Sequence, residues 1–244
     1  MDTLQFATTL PADVLWQDIL VNELTANAEQ GYQAQRPASS LDIFVQDFQN
    51  SISPSHSTLI ASAQSACAKA IAMRGLRGAI SAASHREALY QLIVDVVREH
   101  ENFTDAVCAF SKATKQRWNS FQPSFASKSL QCFQKYNAQC YIFDSFAYQA
   151  LLGSKSQTDN TGVRAFAQAY EAQLSTPYLT QGPQQPGITI ADWLSTPAVA
   201  QAIEARATAL SQGGIDTSSA PWRTFLLRRT HDRALWLRAA PANV

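Results

Sequence analysis

The chain has 244 residues, 46% of them hydrophobic, with nine glycines and no net charge at neutral pH. That is enough apolar material for one large domain or two lobes, and the zero balance excludes the overall basic excess of a nonspecific nucleic-acid binder. No stretch approaches the ~20 apolar residues that a membrane span needs. Four cysteines with no CxxC pair, behind an N-terminus with no basic start or long apolar run, predict reduced thiols and a cytoplasmic protein.

The charges are unevenly placed. In residues 1–66 the acids Asp2, Asp13, Asp18, Glu23, Glu29, Asp42 and Asp47 face Arg36 alone, while from residue 206 onward Arg206, Arg223, Arg228, Arg229, Arg233 and Arg238 face Asp216 and Asp232. Two outcomes stay open: a local cationic face on a neutral protein, or acidic and basic ends that neutralise each other in the fold.

Residues 11–28 are expected to form a first helix, with Pro11 in the first turn and Asp13 and Asp18 where acids suit the helix dipole. Residues 41–48 form a short amphipathic helix capped by Ser40, and the serine-rich residues 51–57 a mobile linker. Residues 58–73 are an alanine-rich helix, ended by a turn at 74–78. The spacing of Leu89, Leu92, Ile93, Val96 and Val97 predicts a core helix over 84–99, with Ser84 and Glu87 as a capping box. The next helix covers 102–118, with Phe103, Ala106, Val107, Phe110 and Ala113 on one face and Lys112, Lys115 and Arg117 near its end.

Beyond residue 152, a polar break over 153–162 precedes a helix over 164–174, and residues 177–187 make a loop able to lie over a site. A short element over 190–194, a helix over 196–210 broken at Gly213 and Gly214, and an apolar helix over 221–238 studded with arginine complete the chain. The pattern is all-α. No internal repeat is present.

Residues 118–152 carry the chemistry-bearing candidates. Pro123 suits a helix start and Ser124 can help cap it. Ala126, Leu130 and Phe133 then share one face, which puts Lys128 nearly opposite, beside Ser124, Phe125 and Cys132. After a polar break at residues 135–137 and an apolar run at 139–143 comes Asp144, at the head of a helix over 145–152, where an N-cap is its ordinary role. His56, His85, His100 and His231 have no metal-ligand spacing, and neither a GxSxG elbow nor a nucleotide-binding loop is present, so no metal or cofactor is expected.

The strings at residues 123–130, PSFASKSL, and 141–145, YIFDS, resemble the core of helix-hairpin-helix DNA glycosylases, in particular the bacterial branch with an oxoguanine-glycosylase-like fold. The resemblance covers about thirty-five residues. It implies two helical lobes with the site between them, divided as 1–80 plus 155–244 and 81–154 of a single helical domain. It implies Lys128 as the amine nucleophile and Asp144 as the assisting carboxylate. Residues 118–124 would be the hairpin that touches the DNA backbone, with Lys112, Lys115, Arg117, Ser120, Gln122 and Ser124 as contacts, and Phe125, Tyr141 and Phe143 as stacking surfaces for the base or as core. Residues 120–124 lack the glycine usual in such hairpins, and the cysteines lack the close spacing of the relatives that hold an iron–sulfur cluster.

The implied partner is duplex DNA bearing a modified or damaged base, in repair or in defence against foreign DNA. The residue types suit base excision, because a neutral amine can displace a base from its sugar and form a Schiff base, while a carboxylate stabilises the developing positive charge. The base must also leave the stack. A non-catalytic DNA- or protein-binding module of the same fold, and a helical structural protein, are the alternatives. Geometry separates them: chemistry needs the ammonium and the carboxylate in one place.

Overall fold

The computed structural model describes residues 40–53, 59–72, 85–153, 159–177, 179, 187–211 and 214–239. Among them are ten α-helices, one 3-10 turn and no strand, so the protein is all-α as its composition and periodicity imply. The helices are α1 (Ser40–Gln49), α2 (Leu59–Ala72), α3 (Arg86–Glu99), α4 (Phe103–Trp118), α5 (Pro123–Leu130), α6 (Ser145–Leu152), α7 (Asn160–Leu174), α8 (Ile190–Leu194), α9 (Pro197–Ser211) and α10 (Ala220–Ala239). The 3-10 turn is Gln134–Tyr136. The expected helix over 11–28, the turn at 74–78, Ser84 of the capping box, Gly213 and most of the 177–187 loop lie outside the described residues. Among the described residues no helix is long and apolar enough to cross a membrane.

Two compact units are present, residues 51–170 and residues 1–50 with 171–244. The cuts thus fall at 50/51 and 170/171 rather than at 80/81 and 154/155. The physical reason is packing: α2 lies on α3 and α5, which places it with the middle of the chain, and α7 starts at Asn160 and runs through residue 170 before the boundary. Residues 51–53 also differ from the expected mobile linker. Ile52 donates its N–H to Cys132 O at 2.8 Å and accepts from Gln134 N at 2.9 Å, a parallel bridge that ties the segment to the end of α5.

In the 51–170 unit, α5 sits against α2, α3 and α4. A helix with neighbours on several sides is buried all round, and residues 125–130 are all buried. Around residues 140–144, α6 and α7, rings pack edge to face. Tyr141 meets Phe103 at 4.9 Å and Phe166 at 5.3 Å, and Phe143 meets Phe166 at 5.0 Å and Tyr148 at 5.6 Å. Such pairs add to the burial of the rings themselves.

In the other unit, α9 packs on α1, and α10 packs on α8 and α1. Two arginines of α10 lie inside the unit while Arg223 is exposed. Arg228, Arg229, Thr230, His231 and Asp232 are all buried. Arg228 forms a fork with Glu171 at 2.8 and 3.0 Å, and Arg229 lies between Asp47 at 3.5 Å and Asp232 at 3.4 Å. Arg206 clasps Asp42 at 3.0 and 3.1 Å. For these residues, Asp42 and Asp47 from the acidic stretch thus offset Arg206 and Arg229 from the basic one. Ion pairs of this kind form because an unpartnered buried guanidinium is costly.

Candidate functional site

The site is built on the turn between α4 and α5. Asn102 caps α4 by accepting from Asp105 N at 3.0 Å. The helix ends at Trp118, and Asn119 follows in the left-handed region with φ 52°. That conformation is usually left to glycine, and asparagine is the side chain that tolerates it best, so the turn is made without the glycine that residues 120–124 lack. Gln122 then holds the N-cap position of α5 with no side-chain cap bond, and Pro123 supplies the first turn. Ser124 is not the cap. It lies inside the helix, where its carbonyl accepts from Ser127 Oγ at 3.1 Å.

Lys112, Lys115 and Arg117 are exposed on the last turns of α4, and Ser120, Gln122 and Ser124 are half-buried along the turn. These six residues belong to one continuous helix–turn–helix segment. Lys115 Nζ reaches Asn119 O at 3.5 Å, and Gln122 Nε2 donates to Ser120 Oγ at 2.6 Å.

Lys128 is 8% exposed. It lies on the side of α5 away from Ala126, Leu130 and Phe133 on the helical period and is nevertheless buried, because α2, α3 and α4 all pack against this helix. Its neighbours along the helix are closed among themselves, Ser129 Oγ bonding to Phe125 O at 3.0 Å, and Gln131 Nε2 and Cys132 Sγ both reaching Lys128 O.

Asp144 is the N-cap of α6, and its Oδ1 accepts from Ala147 N at 2.8 Å. Burial pushes its carboxyl above the usual 3.8. The Ala147 N–H, the Lys128 ammonium and the Phe146 N–H pull in the opposite direction, and burial prevails. The Lys128 ammonium thus acts on the Asp144 carboxyl more weakly than the Ala147 N–H does, and both residues belong to the 51–170 unit.

Sequence reasoning missed the residue that links them. Phe143 N donates to Ser127 Oγ at 3.0 Å, across sixteen residues, the separation that also divides Lys128 from Asp144. The signal was present in hindsight as a serine directly before the lysine, on a helix whose other faces are apolar.

The three proposed stacking rings are core residues. Phe125, Tyr141 and Phe143 are 0%, 1% and 3% exposed. Phe125 packs on Phe110 at 5.7 Å, and the Tyr141 hydroxyl meets Thr104 Oγ1 at 3.2 Å. As placed, none of the three presents a ring face to solvent. Among the described residues no cluster of three or more metal-ligating side chains occurs. The 1–50 plus 171–244 unit has a concavity of about 510 Å³, floored by Ile203, Trp222 and Leu226, with Glu204 and Arg223 in its lining.

The chain matches no known family model, no characterised protein and no solved structure.

Proposed function

We propose that the protein is a DNA glycosylase of the helix-hairpin-helix type that removes a modified or damaged base, with Lys128 as nucleophile and Asp144 as its assisting acid–base group. The observation that carries this reading is a lysine buried on α5 under whose field the carboxyl of Asp144, itself raised by burial, falls. Perturbed groups of this kind gather at functional sites.

The chemistry follows from the pair. An ammonium cannot attack, and free lysine holds its proton up to a pKa of roughly 10.4. Burial favours the protonated form of Asp144, and a proton passed to it from Lys128 leaves the amine neutral. The freed amine lone pair forms a bond to the sugar C1′ while the glycosidic bond breaks and its electron pair leaves with the base. Asp144 returns the proton to the departing base, and its carboxylate then faces the positive charge on the sugar. Opening of the sugar ring gives the Schiff base, from which strand cleavage is open as a second activity. The cationic residues Lys112, Lys115 and Arg117 and the turn residues Ser120, Gln122 and Ser124 serve the phosphate backbone. A base everted from the duplex has to reach Lys128 by displacing part of the surrounding packing. A cytoplasmic setting fits this role, and the buried, unbridged state of Cys67, Cys108, Cys132 and Cys140 agrees with it.

Borohydride reduction in the presence of duplexes, each carrying one altered base, tests the reading. A covalent protein–DNA adduct is expected with the cognate base and is lost in Lys128→Gln; no adduct and no base release across the panel overturns it. A second reading, a DNA- or protein-binding module without turnover, draws on the closed packing of Phe125, Tyr141 and Phe143. DNA binding that survives Lys128→Ala and Asp144→Asn with no turnover in the parent favours it.

A further inference from the structure

We infer that Ser127 is a positioning residue, whose buried hydroxyl fixes the main chain of residues 140–144 against α5 and thereby sets how closely Asp144 couples to Lys128. The inference rests on the Lys128–Asp144 pair of the preceding reading, but on its geometry rather than its activity.

Residues 140–144 belong to no helix or sheet, so no ladder of backbone bonds fixes their position beside α5. Their Phe143 N–H is a donor in a buried place, and such donors find partners. Ser127 supplies one. Its side chain is fully buried, accepts from Phe143 N at 3.0 Å and donates to Ser124 O at 3.1 Å. Both hydroxyl functions are thus engaged, and the second bond fixes the direction of the first. Ser127 immediately precedes Lys128 and Phe143 immediately precedes Asp144, so this bond ties the main chain beside one partner to the main chain beside the other. On the far side Asp144 is tied to α6 by Ala147 N. The carboxyl is held by the start of α6, and the main chain just before it by α5.

The alternative role for such a serine is filler. A buried i−3 hydroxyl bond is common in helices, and Ser129 makes similar ones to Phe125 O and Ala126 O. The difference is the partner. Ser129 is satisfied within α5, whereas Ser127 reaches out of the helix to the residue before the acid.

The test is a double-mutant cycle read by nuclear magnetic resonance of the Asp144 side-chain carboxyl carbon through a pH titration of the full chain. In the wild type, Lys128→Met is expected to move the Asp144 midpoint upward, because the cation that favours its ionised form is gone. In a Ser127→Ala background the same replacement is expected to move it less than about half as far, the mark of two coupled sites. Ser127→Thr, which restores a hydroxyl, is expected to recover the wild-type displacement. A serine that only fills space would lower stability yet leave the displacement unchanged. Equal displacements in the wild type and in the Ser127→Ala background, or none in the wild type, overturn the inference. Should Ser127→Ala fail to fold, Ser127→Cys, with its weaker acceptor, gives the same comparison. None of these readings depends on DNA. Absence of a borohydride adduct would remove the glycosylase proposal and leave the positioning result standing.

Discussion

The two units handle buried polar groups in opposite ways. In residues 51–170 the buried polar side chains are Ser111, Thr114, Ser127, Lys128, Ser129, Gln131 and Asn137. Most of their bonds are short-range: Ser111 Oγ to Val107 O at 2.7 Å, Thr114 Oγ1 to Ser111 O at 2.9 Å, Ser129 Oγ to Phe125 O at 3.0 Å. In the other unit several of the buried polar residues are charged and their partners are remote. Arg229 meets Asp47, and Arg228 meets Glu171 across 57 residues. Set against its own unit, Lys128 stands out: among the described residues it is the one charged side chain in that buried set. On α10 the buried Arg228 and Arg229 are offset by Glu171, Asp47 and Asp232, whereas Lys128 acts on the carboxyl of Asp144.

The contrast can be broken first where it is largest. Arg229→Ala strands Asp232 and Asp47 without their cation and is expected to cost about 3–5 kcal/mol in urea unfolding, the usual effect of removing one partner of a buried pair. A triple replacement of Arg229, Asp47 and Asp232 by apolar residues of similar volume should restore much of that loss. In the 51–170 unit the equivalent injury is a cavity. Phe166 is fully buried and touches the rings of Tyr141, Phe143, Tyr148 and Tyr170, so Phe166→Ala is expected to cost about 3 kcal/mol or more. If Arg229→Ala were as mild as a surface change, the charges of α10 would not be sustaining that unit.

What could be read from the chain follows the same division. Helix α4 was legible because its apolar spacing and its terminal cations are written within one short stretch. Asp144 as an N-cap was legible for the same reason. The burial of Lys128 was not, because it depends on α2, α3 and α4 closing over faces that a single-helix wheel leaves empty. The Ser127–Phe143 bond joins residues whose proximity is decided by the fold. Likewise, the partners of Arg228 and Arg229, Glu171 and Asp47, come from distant positions that the pattern of residues 221–238 does not contain. Short-range chemistry survives in the sequence; long-range partners do not.

A smaller effect sharpens the assignment of Asp144. Its carboxyl is raised by burial above the unfolded value of 3.8. Between those two values the folded state binds more protons than the unfolded one, so this group's contribution to stability is full below 3.8 and is lost as pH rises through the folded value. Asn retains the capping function. Asp144→Asn is therefore expected to flatten the fall in stability with rising pH just above the carboxylate range, while Asp144→Ala adds a lost cap of about 1 kcal/mol. Urea midpoints of the wild type and both variants across that range decide it; parallel curves for wild type and Asp144→Asn would show a carboxyl that is not raised.

The smallest effect lies in the turn itself. Asn119 holds φ 52° between α4 and α5, a conformation that costs an ordinary L-residue roughly 1–2 kcal/mol. Asn119→Ala should therefore destabilise by about 1 kcal/mol. Asn119→Gly relieves what strain remains but enlarges the freedom of the unfolded chain, and those terms oppose each other within about 0.5 kcal/mol. The ordering Gly near Asn and both above Ala is the expected result of urea unfolding. It matters for the site because the turn sets the angle at which the chain enters α5 at Pro123. If Ala were tolerated as well as Gly, the chain could make this turn without a residue suited to the left-handed region, and Asn119 would not be what fixes the passage from α4 to α5.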